Sequence, residues 1–523
     1  MSTPSTARSN VGAGHAEAQA AEPPIAPASP GGTRRWWVLA IIGIAQLMLV
    51  LDSTIVNIAL PSAQRALHFA DGDWVWIVTA YALAFGSFLL LGGRLGDMFG
   101  RKRTFIGGLA GFALASAAGG AAPDFAVLVS ARAVQGLFAA LLAPSALTLL
   151  ATTFTDAKER GRAFAVYGAV AGGGGSVGLL LGGALTSYAS WRWCLYVNLI
   201  FAAVAAAGGL LMLSNPPRQS RPVIDVPGVV LASAGLFALV FGFSRAQTDS
   251  WGSSVTLVWL AAGVVLLAGF VLVQRRVEHP LLPLRVVLDR NRAGAYAAIG
   301  LTFIAVFALF FFLTFYLQGV RGYSPVKTGL AFLPLPLALV VSSGISTVRL
   351  FPRLGPRRLI VPGLLVAAVG MVLLSRLGID SSYAAHVLPA LVITGLGFGA
   401  VVPPALSTAT QGVEFRDAGV ASGLANTMQQ VGGSIGTSLL TAIAAQAAAR
   451  SLGSRPAPSV AAVAQATVHG YSVGFQVAAI TFLGAAVICA LLLRPRADKP
   501  LSPQPDTAAA SLRRRPRPQW DTR

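Results

Sequence analysis

Two ionisable residues stand where charges rarely occur. Asp52 lies inside the apolar run 36–60, and Arg132 inside the apolar run 125–149. Each is about eight residues from one end of its run, which at 1.5 Å per helical residue is a depth of ~12 Å. An ionised Asp at the centre of a membrane-spanning helix costs about 2.5–3.5 kcal/mol on insertion scales. Hydration, pairing or protonation lowers that cost, because burial disfavours the charged carboxyl and a nearby cation favours it. A lone carboxyl at this depth is therefore a candidate proton carrier; the plainer reading is a helix-packing Asp bonded to a neighbour. Asp73, Asp124, Asp225 and Asp417 all fall at the edges of apolar runs, so none rivals Asp52. Arg stays protonated. Arg132 would hold Asp52 ionised when close and release it when it moves away, the plainer alternative being a fixed salt bridge. Arg132, Gln135 and Gly136 share one helix face by their i, i+3, i+4 spacing.

Other chemistry is sparse. Asn57, Gln135, Asn198, Gln318 and Asn426 are polar residues within apolar runs and are candidate lining for a substrate cavity. Bonding from helix to helix is the simpler role for each. The five histidines, His15, His68, His279, His386 and His469, lie in tails, loops or run edges and form neither a metal cluster nor a catalytic triad. No metal or other cofactor is expected, and no enzyme activity. No Gly-Lys-Ser/Thr phosphate loop occurs, so an ATP-driven pump would need a separate subunit. Cys194 and Cys489 each sit in an apolar run and read as small buried hydrophobes rather than a disulfide. The run 163–187 holds Gly168, Gly172, Gly173, Gly174, Gly175, Gly178, Gly182 and Gly183. Small residues four apart let helices approach closely, which serves packing or gating.

The elements that must carry these groups are legible in the composition. Of 523 residues, 55% are hydrophobic and 11% charged, against about 25% charged in a typical soluble domain. The apolar residues come in runs of about 20, the length of a helix crossing a ~30 Å hydrocarbon core. Strand alternation is absent, which argues against a barrel. Fourteen spans are expected, at 36–60, 74–93, 104–122, 125–149, 163–187, 193–213, 226–246, 254–274, 293–318, 327–348, 357–376, 385–410, 418–448 and 470–493. With both termini inside, thirty of the 39 Lys and Arg fall on the inner side and eight outside, as the positive-inside rule requires. The net charge of +20 is thereby assigned to cytoplasmic loops and not to nucleic-acid binding.

The loop 93–103 after the second span is echoed by 349–358 after the tenth. This suggests two six-helix halves, 36–213 and 293–493, with 214–292 as a linker carrying spans seven and eight. Repeated halves of this kind are common in secondary transporters. Residues 1–35 and 494–523 read as disordered cytoplasmic tails, the latter with the basic run Arg513-Arg514-Arg515-Pro516-Arg517 facing anionic headgroups.

The motifs converge on a known group. Gly93-Arg94-Leu95-Gly96-Asp97-Met98-Phe99-Gly100-Arg101-Lys102 is similar to the signature loop of the major facilitator superfamily, with Gly96 in place of Ala. Leu51-Asp52-Ser53-Thr54-Ile55-Val56-Asn57-Ile58-Ala59-Leu60-Pro61 resembles the first-span motif of that superfamily's fourteen-span drug:proton antiporters. Arg132-Ala133-Val134-Gln135-Gly136 resembles the fourth-span motif, and Trp191-Arg192-Trp193 with Asn198 the start of the sixth span. The resemblance covers 36 to about 493 and implies an all-α major facilitator fold. It implies that Gly93, Asp97, Gly100, Arg101 and Lys102 form a conformational gate with Asp97 and Arg101 as its charged core. It implies that Asp52 and Arg132 couple protons, and that Gly178, Gly182 and Gly183 belong to the antiporter-motif helix. In that helix Leu179 stands where the family has Pro. The expected protein is an inner-membrane, monomeric, proton-coupled exporter of amphipathic or hydrophobic drug-like molecules. Rival readings are a dedicated exporter of one endogenous metabolite or antibiotic, a non-antiport facilitator or importer, and a membrane-embedded enzyme or sensor.

Overall fold

The computed structural model describes residues 32–494 except 71–72, 155, 215–224, 279, 414–417 and 454–458. Of the expected tails at 1–35 and 494–523, residues 1–31 and 495–523 lie outside the described residues, as does His279. The chain runs α1 (Gly32–Leu67), α2 (Val75–Phe99), α3 (Arg101–Gly120), α4 (Phe125–Thr153), α5 (Ala157–Tyr188), α6 (Trp193–Met212), α7 (Val226–Asp249), α8 (Ser254–Gln274), α9 (Leu284–Leu288) and α10 (Arg290–Phe315). It continues through α11 (Pro325–Phe332), α12 (Pro334–Ile345), α13 (Phe351–Leu374), α14 (Leu388–Thr410), α15 (Ala418–Leu452) and α16 (Val460–Leu492). π-turns occupy Tyr316–Val320, Ser346–Leu350 and Tyr383–Val387.

Helices are the only open-ended way to satisfy backbone polar groups in lipid, and their ends are closed by the polar residues at the edges of the runs. Asp124 caps α4 by accepting from Val127 N at 2.9 Å. Asp225 caps α7 by accepting from Gly228 N at 2.8 Å, and Asp289 and Ser459 cap α10 and α16. The edge carboxylates Asp124 and Asp225 are thus explained as caps. The first helix begins earlier than expected, at Gly32, because Arg34 donates to Met212 O at 3.2 Å and Arg35 pairs with Glu159.

Eleven helical runs among the described residues are long and apolar enough to cross a membrane, against the fourteen expected from the sequence. The difference has physical sources. In α2 the apolar stretch Val75–Leu89 is short. α3 opens on Arg101-Lys102-Arg103 and is rich in Gly and Ala. The 50-residue run Pro325–Leu374 counts once, although Gly355 inside it leaves helical geometry at φ 71°. Outward faces are apolar: on α8, Val258, Val264 and Val265 are more than 60% exposed, as expected of a lipid-facing helix.

Helices α1–α6 pack on one another, and so do α10–α16. The two groups meet along two seams, α2 against α15 and α5 against α11 and α12. α7 and α8 form a hairpin, and α7 also touches both α2 and α15, with Ser233 Oγ donating to Ser87 O at 2.9 Å. This pair therefore covers the first seam.

Both groups share a construction. A Cβ added to Gly178 would lie 3.2 Å from Leu51 O, and one on Gly182 2.9 Å from Ile55 O. In the second group, a Cβ on Gly432 would lie 2.3 Å from Gly300 O and one on Gly436 2.2 Å from Ile304 O. The same four-residue ratchet thus joins α5 to α1 and α15 to α10. It matches Leu51 to Gly300 and Ile55 to Ile304, so Leu301 occupies the place of Asp52. The two basic loops agree as well: Gly100 (φ 95°) and Gly355 (φ 71°) both hold left-handed backbone at equivalent positions, where a side chain would be strained.

The two groups are sealed at the end where α1 and α5 finish. Trp74 stacks on Phe311, Gln318 donates to Ile58 O at 3.2 Å, and Val326 N donates to Ser187 Oγ at 3.4 Å. Beside them a Cβ on Gly183 would lie 2.7 Å from Pro325 O, and one on Gly329 2.6 Å from Leu179 O. Gly183→Val is expected to prevent this seam from closing and to abolish transport with the protein still in the membrane. Membrane abundance measured alongside substrate efflux checks this; wild-type efflux would show that the close approach is dispensable.

Candidate functional site

Four helices meet α1 around Asp52. α4 carries Arg132 two turns in from its Asp124 cap, and Gln135 follows on the same face. α3 contributes Ser116, and α6 contributes Asn198. The ends of α3 and α6 are tied by Arg192, whose Nη1 donates to Gly120 O at 2.8 Å and Ala122 O at 2.7 Å. That side chain satisfies terminal carbonyls of α3 one turn after Ser116, and a cation suits a helix C-terminus. It thereby sets Ser116 and Asn198 at the same level. α2 contributes Ile77 O and the Tyr81 ring.

Asp52 is 0% exposed and Arg132 1%. Arg132 Nη1 donates to Asp52 Oδ2 at 2.6 Å and to Gln135 Oε1 at 2.9 Å, and its Nε donates to Ile77 O at 3.2 Å. Asn198 Nδ2 donates to Asp52 Oδ1 at 2.7 Å, and Gln135 Nε2 donates to the same oxygen at 3.2 Å. Ser116 Oγ accepts from Gln135 Nε2 at 2.5 Å and Asn198 Nδ2 at 3.2 Å. The guanidinium carbon also sits 4.3 Å above the Tyr81 ring. Every one of these contacts to Asp52 is a donation to it, so the arrangement is that of an ionised carboxylate. The pair is net neutral and well bonded, the condition under which a buried ion pair is tolerated. Chemically, it can exchange a proton for an arginine: protonation of Asp52 removes the charge that holds Arg132.

Two small cavities meet at Arg132. One is lined by Val56, Ala59, Leu60, Ile77, Leu128 and Trp191 among others and lies within the first helix group. The second is lined by Ser53, Val56, Val78, Tyr81, Ala82, Arg132 and Gln430 and opens between the groups.

The sequence-derived site residues separate on this framework. Asp52 and Arg132 are brought together. Gln135 and Asn198, expected in a substrate cavity, instead bind the carboxylate. Gln318 lies at the seam, on Ile58 O. Asn57 turns back on its own helix, donating to Ser53 O at 3.2 Å. Asn426 is half-buried on α15. None of these five lines either of the two cavities at Arg132. Gly178 and Gly182 face α1 at Thr54 and Ile55, and Gly183 faces α11.

In the gate loop, Gly100 turns the chain and Lys102 Nζ donates to Leu210 O at 2.8 Å, at the end of α6. Arg94 donates to Pro280 O in the linker at 3.2 Å. Arg101 lies over Gly96, where a Cβ would come within 2.6 Å of its Nη1, which suits Gly at that position. Gly93 has room for a Cβ, its nearest neighbour being Pro144 at 3.8 Å. Asp97 lies on α2, and its side chain falls outside the described part. Ser116 and Tyr81 complete the site without having been singled out for it in the sequence. Asn198→Leu is expected to leave Asp52 short of one charge-assisted bond and to lower stability by about 1.5–3 kcal/mol; an unchanged thermal melting profile would contradict that.

Comparison with known proteins follows the same lines. The model of the family described as Major Facilitator Superfamily matches residues 42–437. The chain is 50% identical over 468 residues to the puromycin resistance protein pur8 of Streptomyces alboniger, covering 89% of this chain and 92% of that one. It is 37% identical over 415 residues to the tetracenomycin C resistance and export protein of Streptomyces glaucescens, covering 79% and 77%. Among solved structures, a bacterial homologue of the human lysosomal transporter Spinster, inward-facing and unoccupied, superposes with a TM-score of 0.61 at 16% identity, covering 89% of this chain and 98% of that one. At that identity the likeness speaks for the fold alone.

Proposed function

Because the chain belongs to the Major Facilitator Superfamily, we propose that it exports antibiotic- or drug-like small molecules across the bacterial inner membrane in exchange for protons. The export direction is supported by the relatives, whose names tie them to puromycin resistance, cephamycin export and tetracenomycin C resistance and export. One observation carries the proton coupling: Asp52 is a fully buried carboxylate away from any helix end, and it is held by an equally buried arginine that borders the cavity between the halves. The other buried carboxylate among the described residues, Asp225, is a helix cap.

In this reading the fold has fourteen spans, as two six-helix bundles at 36–213 and 293–493 with α7 and α8 inserted through 214–292, and both termini are cytoplasmic. The sealed seam at Trp74, Phe311 and Gln318 is then the outer gate, closed in this conformer. The loop 93–103, with Asp97 and Arg101, makes the inner clamp in the alternate state, and the glycine helix α5 bends against α1 and α11 as the two states exchange. A proton arriving from outside neutralises Asp52 and frees Arg132, and release inside restores the pair. Substrate occupies the space that opens between the bundles as the two states exchange.

Expression in a drug-sensitive host tests the reading. Resistance to at least one of puromycin, tetracenomycin C, a cephamycin or lincomycin is expected, and a protonophore should remove it. Sensitivity to all four, with the protein present in the membrane, would contradict export of this class. The names of the relatives also favour a dedicated exporter of one antibiotic; resistance confined to a single compound of the panel selects that version.

A further inference from the structure

We infer that the cavity at Arg132 between the bundles is a water site, and that this water, with Tyr81 and Gln430, is the second partner that holds the arginine once Asp52 is protonated. The inference rests on the proton-exchange reading above and adds where the freed charge goes. Arg132 is 1% exposed, and a guanidinium stays protonated. Neutralising Asp52 therefore leaves a buried cation in need of other acceptors, since an unpaired buried charge is costly.

The cavity supplies them. Its polar lining is Ser53, Tyr81, Arg132 and Gln430, and it has room for a single water molecule. A buried water belongs in such a space when it meets two to four polar partners. Tyr81 is 3% exposed, and its hydroxyl has no partner; a buried polar atom left unpaired calls for a reason, and a bound water supplies one. Gln430 is half-buried, and its amide makes no hydrogen bond to any described residue. Arg132 spends Nη1 and Nε on Asp52, Gln135 and Ile77, and Nη2 has no assigned bond. One water thus accepts from Nη2 and donates to Gln430 Oε1 and Tyr81 Oη. The other cavity at Arg132 offers only apolar side chains and Cys194, so the arginine turns towards the opposite bundle.

Few other titratable groups face the pair. Among the described residues they are Tyr81 of α2 and Cys194 of α6, and α3, α10 and α15 present none at this level. Tyr167 of α5 is bonded to Gln46 Oε1 at 2.6 Å, and Lys327 of α11 lies over the Tyr323 ring. The proton therefore ends on Asp52, the arginine keeps its charge, and the water and the amide are unchanged.

The site draws on both halves. Ser53, Tyr81 and Arg132 belong to α1, α2 and α4, and Gln430 to α15. It is complete only where α2 and α15 lie close, as they do here, with a Cβ on Gly86 3.3 Å from Gln430 Cβ. Protonated Asp52 thereby favours this conformer, in which the seam at Trp74 and Phe311 is sealed. A proton taken up from outside drives the molecule towards the state that releases it inside.

Two measurements on the full-length protein test this. A density map that resolves ordered water, in the conformer with the Trp74 seam sealed, should show one peak within hydrogen-bond distance of Arg132, Tyr81 and Gln430. Infrared difference spectroscopy then titrates the Asp52 carboxyl, whose band is identified by its loss in Asp52→Asn. A partner that holds Arg132 after Asp52 is neutralised stabilises the protonated form, so its removal lowers the proton affinity of the site. Gln430→Leu should move the titration midpoint about one pH unit towards acid, the ten-fold change that one hydrogen bond to a charged group is worth. Tyr81→Phe keeps the ring beneath Arg132 and should move the midpoint the same way; it decides the matter if Gln430→Leu fails to fold. No peak at the site, or a midpoint unmoved by both variants, would overturn the inference. A wild-type Asp52 band that does not titrate at all sinks the proton-exchange reading itself, and absence of drug resistance with both results in place counts against export alone.

Discussion

Asp52→Asn is expected to reduce gradient-driven efflux to the level of cells lacking the protein, while the variant still reaches the membrane. The substitution keeps the side chain's size and deletes the group that can take up a proton. It also leaves Arg132, 1% exposed, without its counter-charge. Breaking one side of a buried ion pair costs about 3–5 kcal/mol, so part of the loss could come from instability alone. Two controls separate the causes. Asp52→Glu retains an acid and should keep measurable proton-dependent efflux despite crowding a packed site. The Asn variant should still exchange labelled substrate for unlabelled across the membrane, because that exchange requires alternating access and no net proton movement. Wild-type efflux by Asp52→Asn would remove Asp52 from the mechanism.

Arg132→Ala should have the second largest effect, and of a different kind. Here the uncompensated charge is the carboxylate, bound only by Asn198 and Gln135. Such a group relieves its burial by remaining protonated. Transport by this variant should therefore lose its dependence on the proton gradient, and the fold should melt earlier by an amount equivalent to about 3–5 kcal/mol or less. A double-mutant cycle distinguishes pairing from general damage. Asp52→Asn combined with Arg132→Ala removes both charges and should melt at a higher temperature than Arg132→Ala alone. Additive losses in the cycle would mean the two residues act independently, against the 2.6 Å contact between them.

Much of the site was legible because charge in an oily run is physically expensive. Asp52 and Arg132 stood out for that reason, and Gln135 followed from helical spacing. The number of apolar runs and their basic loops pointed to the helical membrane fold that the family match and the structural neighbour support. Hydroxyls and amides were harder to read. Ser116 resembles the many small residues of α3, and Ser or Thr in a helix is usually satisfied by its own preceding turn, as Thr148 and Thr408 are. Only the third dimension sets Ser116 between Gln135 and Asn198. The partners of the polar residues expected in a cavity were hidden for a related reason. A polar residue in a spanning helix reveals that it must bond something, and Asn57, Asn198 and Gln318 turn out to bond three different things: their own helix, the buried acid and the opposite bundle. Arg192 was read as part of a motif, whereas its physical task is to close the end of α3. The match of Leu301 to Asp52 likewise depends on which glycine meets which carbonyl. It explains why one bundle holds the acid and the other holds none at the equivalent place.

The most direct test of the central claim is proton movement itself. Purified protein in liposomes loaded with a pH-sensitive dye is given a standing pH gradient, and substrate is then added on the side from which it is exported. The wild type should dissipate the gradient when substrate is present, and Asp52→Asn should not. Substrate-driven proton flux through Asp52→Asn at the wild-type rate would contradict the assignment of the proton to this buried carboxylate.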